Sequence, residues 1–395
     1  MRRPLHEAVN QGERQRTSAR RRAIPRVGCI FMRDHAAGKT GAPSSAGPLR
    51  IAAVYVGTIV GAGFASGQEV LQFFNAFGRE GVLGVVLATA LFFLFGYAVL
   101  ILGRNLEARS HVDIVRFTNG RVLGAFLDLV ITVFLFGGLA TMVAGSGAVF
   151  AEQFHVSPLW GTAFMALAAL LTVLAGTKGV LNANGLIVPF LLLAVFAITL
   201  FCLIANPVSV RDIELSAGLS GAAPNWITAA INYASYNLIV AIGVLGPLGA
   251  GTAKKRTLMQ GALLGSLGLG AGILGIYFCI FTNIGSLSGV EVPMGAISSG
   301  ISPVFRLVFA FVLLGAIYTT AVGNLFGFMR RTTAACRSAA ARPWVTAVTA
   351  AAAFAAGQFG FSNMVRYIYP AVGYGGMLLF VGIVFSWVTK RRGFG

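Results

Sequence analysis

The sequence predicts an all-α, polytopic membrane protein of about ten transmembrane helices, arranged as two inverted halves of five. Three observations predict it. Of the 395 residues, 56% are hydrophobic and 11% charged, and the mean hydropathy is +0.80. Uncharged apolar runs, near the ~20 residues that cross a bilayer, recur from Ile51 onward. Lysine and arginine collect in alternate connections between those runs. A formal net charge of +18 raises nucleic acid as a partner. Its placement in a tail and at helix ends assigns it instead to a lipid bilayer, and no nucleic acid is expected.

Residues 1–49 are rich in Arg, Ser, Pro and Gly and hold no apolar stretch long enough for a signal-peptide core. They read as a disordered cytoplasmic tail, with Met32 as an alternative start. Gly38-Lys39-Thr40 is not a phosphate-binding loop, because Arg33 stands where that loop needs glycine.

The first apolar segment, Ile51 to Phe77, is interrupted by Gly57, Gly61, Gly63 and Gly67, then by Gln68 and Glu69. A spanning helix satisfies its own backbone, so such a break is tolerated only beside protein or a water-filled cavity. Glycine also lets a ligand approach the main chain. Ser66 and Glu69 have the spacing of a capping box, so a second half-helix is expected to restart there. Its exposed N–H groups and positive dipole end would favour a carboxylate. Gly61, Ala62, Gly63, Ser66, Gly67 and Glu69 are therefore candidate substrate-binding residues. Glu69 is expected toward the outer vestibule, where it attracts an amine, exchanges a proton or only completes the cap. A glycine face for close helix packing is the competing reading, but it leaves Gln68 and Glu69 unexplained.

Further spans are expected at about 81–102, 122–154, 160–175, 179–204, 226–248, 258–284, 303–329, 343–360 and 364–388. The third is long and must tilt or protrude. With the N-terminus inside, cytoplasmic segments carry 26 of the 30 Lys and Arg, and the opposite side carries Arg79, Arg211, Arg306 and Arg366. Both termini are thus expected in the cytoplasm, with the chain in the inner (plasma) membrane. Five spans per half, at about 50–204 and 226–388, put the second half upside down and make the sixth span the counterpart of the first. The sixth carries Asn232-Tyr233-Ala234-Ser235-Tyr236-Asn237, then Gly243, Gly246 and Pro247. It is expected to be discontinuous too, with Asn232, Tyr233, Ser235 and Tyr236 in the substrate site. A packing role for either tyrosine is the competing reading.

The cysteines (Cys29, Cys202, Cys279, Cys336) show no metal-ligand or disulfide spacing. No enzyme is expected and no cofactor. Gly218-Leu219-Ser220-Gly221 matches a short pattern of intramembrane serine proteases but falls in a loop. All four histidines lie outside the apolar cores, leaving that serine without a base. Asp128 and Glu152, near the two ends of span three, read as helix-end or ion-pair residues.

Gly57-Thr-Ile-Val-Gly-Ala-Gly-Phe-Ala-Ser-Gly-Gln-Glu69, preceded by Val54-Tyr55-Val56, resembles the hallmark of YkvI-like bacterial membrane proteins. These are placed with the LeuT-fold transporters of the amino acid–polyamine–organocation superfamily. The resemblance covers about residues 50–390. It implies a LeuT-like fold and secondary active transport by alternating access, without naming a solute. A small zwitterionic or amino-acid-like solute is expected, with organic cations as the alternative. A ligand-sensing receptor on the same fold is the rival reading, and oligomeric state stays open.

A coupling ion is also expected. The break offers carbonyls at Gly57 and Val60, and span eight presents the Ala316 carbonyl with the Thr319 and Thr320 hydroxyls at i, i+3 and i+4. This resembles the conserved sodium site of sodium-coupled LeuT-fold transporters. The second sodium site of some relatives has its asparagine where Phe64 stands here. Proton coupling is the alternative; the nearest lysine, Lys178, lies only at the mouth of span five.

Overall fold

The computed structural model describes residues 47–176, 178–205, 221–332 and 341–389, with 178–186 given by their backbone alone. The Arg-rich tail, the Lys178 side chain, Arg211 and the Gly218-Leu219-Ser220 stretch lie outside the described residues.

The broken first segment comprises α1 (Pro48–Ile59), α2 (Ala62–Ala65) and α3 (Gln68–Phe73). Proline in the first turn starts α1, where its missing N–H costs nothing. The last rung of α1 is Val60 N–H to Val56 O, at 2.8 Å. Val60 and Gly61 are then extended, with ψ of 103° and −172°. A second break follows at Gly67, whose φ of +83° is the left-handed region that glycine occupies without strain.

The remaining helices are α4 (Glu80–Asn105), α5 (His111–Phe154), α6 (Pro158–Ala175), α7 (Lys178–Ala205), α8 (Trp226–Ala250), α9 (Lys255–Phe281), α10 (Pro293–Ser299), α11 (Pro303–Thr332), α12 (Ala341–Gly357) and α13 (Phe361–Val388). Among the described residues, eight helices are long and apolar enough to cross a membrane. At 17 residues α12 falls just short. Phe190, Leu193, Phe196, Leu200 and Leu203 form an exposed stripe along α7 at helical spacing. So large an apolar face suits lipid and not water, and the chain is a multi-pass membrane protein.

The long third span is present as expected, and Gly120, whose φ of +74° interrupts α5, marks where it begins. The first turns of α5, opened by a Ser110–Asp113 capping box, form a separate short helix before the apolar run. Asp128 is ion-paired as expected, receiving Arg331 Nη1 at 2.6 Å.

Packing sorts the helices into two groups. The broken segment and α4 pack with α8 and α9, while α5 and α6 pack with α11 and α12. Helix α13 bridges them by lying on both α5 and α8.

The sixth span departs from expectation: α8 is one continuous helix from Trp226 to Ala250. Its amide and serine side chains bond to α13 or within α8 instead of breaking the helix. Asn232 Nδ2 donates to Pro370 O (3.0 Å), Ser235 Oγ to Gly373 O (2.7 Å), and Asn237 Nδ2 to Tyr233 O (3.0 Å). Gly103 of α4 serves close packing, because a side chain there would strike the Gly246 carbonyl.

Candidate solute and cation cavity

A cavity of about 440 Å³ opens where α1 stops. The main chain from Gly57 to Gly63 forms one wall. Phe134, Gly138 and Met142 of α5 form another, and Tyr236, Asn237, Val240 and Val244 of α8 a third. Val188 and Leu191 of α7, Ala316 to Asn324 of α11 and Tyr369 of α13 complete it. The α8 and α11 walls run toward the helix ends that carry Lys254–Arg256 and Arg330–Arg331.

Glu69 lies at the head of this cavity, only 6% exposed. The Tyr236 hydroxyl donates a hydrogen bond to its Oε2. Tyr233 interacts with the same carboxylate, yet its hydroxyl makes no hydrogen bond of good geometry. The other carboxylate oxygen rests against Gly63, where any side chain would collide with it. One expectation is corrected here. Glu69 does not complete a capping box: Ser66 Oγ donates to Gly63 O (2.8 Å) and accepts from Gln68 N–H (3.3 Å). Glu69 itself lines the cavity. The left-handed turn at Gly67 starts α3 so that Glu69 runs back along the unwound stretch.

Gly57, Gly61, Ala62, Gly63, Val60, Glu69, Tyr236, Ala316, Thr319 and Thr320 all line the one cavity. Asn232, Tyr233, Ser235, Ser66 and Gly67 do not. Asn232 and Ser235 face α13. Tyr233 is fully buried among Phe73, Phe74 and Phe92. Ser66 O accepts Met294 N–H at 2.9 Å, and Gly67 packs on Met294, so both meet α10. The Thr319 hydroxyl donates to Ala316 O at 3.1 Å, the one-turn bond typical of buried threonine. Phe64 is buried against Gly272.

Sequence reasoning missed Asn324 and Tyr369. Asn324 continues the face of Ala316 and Thr320 at i+4, and that spacing could have revealed it. Tyr369 precedes Pro370 on the last span, and only packing brings its ring to 5.1 Å from Tyr236. Also missed was a polar clasp over the cavity's other end. Gln68 Nε2 donates to Ser362 Oγ (2.8 Å) and Gln72 Nε2 to Ser362 O (2.9 Å). Glu152 accepts the N–H groups of Glu291 (2.6 Å) and Val292 (3.1 Å), and Glu291 Oε1 accepts Ser362 N–H (3.3 Å). A second hollow of about 530 Å³ lies beyond the clasp, lined by Gln68, Gln72, Glu291 and Arg366.

No protein-family profile matches the chain. It is similar to the uncharacterized membrane protein YkvI of Bacillus subtilis, 27% identical over 350 residues, covering 87% of this chain and 96% of that one. It is also 27% identical over 324 residues to the uncharacterized protein YyaD of the same organism, covering 80% and 90%. Among solved structures, MhsT in complex with L-phenylalanine aligns with a TM-score of 0.58 at 18% identity, covering 86% of this chain and 89% of that one. The inward-facing conformation of Mhp1 also aligns at 0.58, with 15% identity and 90% and 82% coverage. A Na+-coupled sialic acid symporter aligns at 0.55, with 13% identity and 86% and 79% coverage. The resemblance expected from the Gly57–Glu69 motif thus holds along most of the chain, whose homologues are YkvI and YyaD and whose fold is that of the LeuT-type transporters.

Proposed function

We propose that this protein is a secondary transporter that moves a small solute by alternating access, coupled to sodium. One observation carries the reading. The carbonyl-bearing end of α1 and the Ala316–Thr320 face of α11 line the same cavity as Glu69. Solute and ion would then share a chamber bounded by the helix break, and a change at either would be felt by the other. The structural neighbours support the reading: one is described as a Na+-coupled symporter, and another as a manganese transporter.

The donor set suits sodium. A hard monovalent cation takes oxygen ligands, and here they are uncharged carbonyls and hydroxyls. Helix α1 ends at Ile59, so its last carbonyls have no rung above them. A threonine hydroxyl that donates one bond still carries lone pairs on its oxygen. Sodium would supply the driving force and fix the distance between α1 and α11. With the basic ends in the cytoplasm, the cavity faces inward and the Gln68–Ser362 clasp closes the outer side.

The test is uptake into proteoliposomes under an imposed sodium gradient, with radiolabelled amines and amino acids. Accumulation above equilibrium that collapses with the sodium gradient is expected. Binding without any accumulation would favour a receptor, and accumulation that follows only a proton gradient would remove sodium from the mechanism.

A further inference from the structure

We infer that the solute of this cavity is a small organic ammonium ion with no carboxylate of its own, held by Glu69 and by the faces of Tyr236, Tyr369 and Phe134. The inference rests on the cavity being the solute site of the proposed transporter and narrows the solute to a chemical class.

Charge is the first reason. Among the described residues lining the cavity, Glu69 is the one with an ionisable acidic or basic side chain. The Tyr236 hydroxyl donates to it, which orients a carboxylate and supplies no positive charge. A carboxylate among apolar walls such as Val188, Leu191, Val240 and Met142 is costly unless paired. A cationic solute supplies that pairing from the cavity side.

Position is the second reason. The sequence suggests that a solute carboxylate docks on the unwound main chain near Gly63. The structure places the protein's own carboxylate against Gly63. A second carboxylate at that wall would meet a like charge in a low-dielectric chamber, so a zwitterion gains little there. An amine gains from the same arrangement.

The rings are the third. Phe134, Tyr236 and Tyr369 come from three different helices, with centroids 5.1 Å (Tyr236–Tyr369), 5.8 Å (Phe134–Tyr369) and 6.5 Å (Phe134–Tyr236) apart. All three line the cavity beside Glu69. Aromatic faces grouped around a carboxylate are the chemistry that recognises an alkylammonium, whose charge sits on a partly apolar body. The volume of about 440 Å³ admits an organic cation of moderate size.

The experiment is a binding titration of the purified full-length chain in sodium buffer with two matched series. One is isopentylamine, L-leucine and 4-methylpentanoate; the other is phenethylamine, L-phenylalanine and 3-phenylpropanoate. At least one amine is expected to bind tenfold or more tightly than the amino acid of the same side chain, with neither carboxylate binding. E69Q should weaken the amine at least tenfold. The series on the unaltered protein carries the test if that variant does not fold. An amino acid or carboxylate that binds as tightly as its amine overturns the inference. So does an amine affinity unmoved by E69Q, or the failure of both amines to bind. Binding needs no gradient, so an amine that binds without accumulating leaves this inference standing and removes transport. An amino acid driven uphill does the reverse.

Discussion

The Tyr236 hydroxyl donates to the Glu69 carboxylate and so ties α8 to α3 across 167 positions of the chain. Both groups are buried, and the bond fixes the carboxylate between the unwound main chain and the rings of Tyr236 and Tyr369. The neighbouring Tyr233 packs edge-on to Tyr236 with ring centroids 5.4 Å apart.

Tyr236→Phe keeps the ring and removes the donor. A hydrogen bond to a charged group is worth about 1.5–3 kcal/mol, so solute affinity should fall roughly tenfold or more while the fold survives. Isothermal titration with the tightest-binding amine checks it, and an unchanged dissociation constant counts against the bond's role.

Gly61 and Gly63 can be compared directly. Nothing lies within 4 Å of a side chain added at Gly61, whereas one added at Gly63 strikes Glu69. Gly63→Ala is expected to lose solute binding and about 1–3 kcal/mol of stability, and Gly61→Ala to lose little. Thermal denaturation and binding of the pair would show it; equal behaviour would mean that Glu69 does not rest where the geometry has it.

Sodium should stabilise the unaltered protein. An ion at a hundred times its dissociation constant contributes ~2.7 kcal/mol, which a melting curve resolves. Thr319→Ala with Thr320→Ala should abolish the shift in sodium relative to choline chloride, together with sodium dependence of uptake. A full sodium shift in the double variant rules the site out.

Gln68→Ala with Gln72→Ala should open the clasp, because their side-chain amides donate to Ser362 Oγ and to the Ser362 carbonyl. Cavity-lining Met142→Cys, in a chain whose own cysteines are replaced, reports it. Its labelling by an impermeant thiol reagent from the outer face should rise several-fold. No rise would mean that this clasp does not gate the cavity.

Gly57 to Glu69 announced its broken helix because glycine spacing and buried polar residues are local signals. The apolar runs likewise located the long helices, since a bilayer demands continuous apolar length. Ala316, Thr319 and Thr320 share a cavity with Gly57 and Val60, as the resemblance to LeuT-fold transporters implied. Local signals failed where polarity had two outlets. The Asn232–Asn237 cluster looked like a second break, but a polar side chain on a helix can bond a partner helix, and the Pro370 and Gly373 carbonyls of α13 accept from Asn232 and Ser235. Ser66 and Glu69 had cap spacing, but Gly67's left-handed turn and the distant Tyr236 claimed Glu69 instead. Amino-acid order by itself determined membrane residence, helix positions and the first break. Tertiary packing decided which polar groups meet each other and which meet the cavity, because that depends on contacts between helices far apart in the chain.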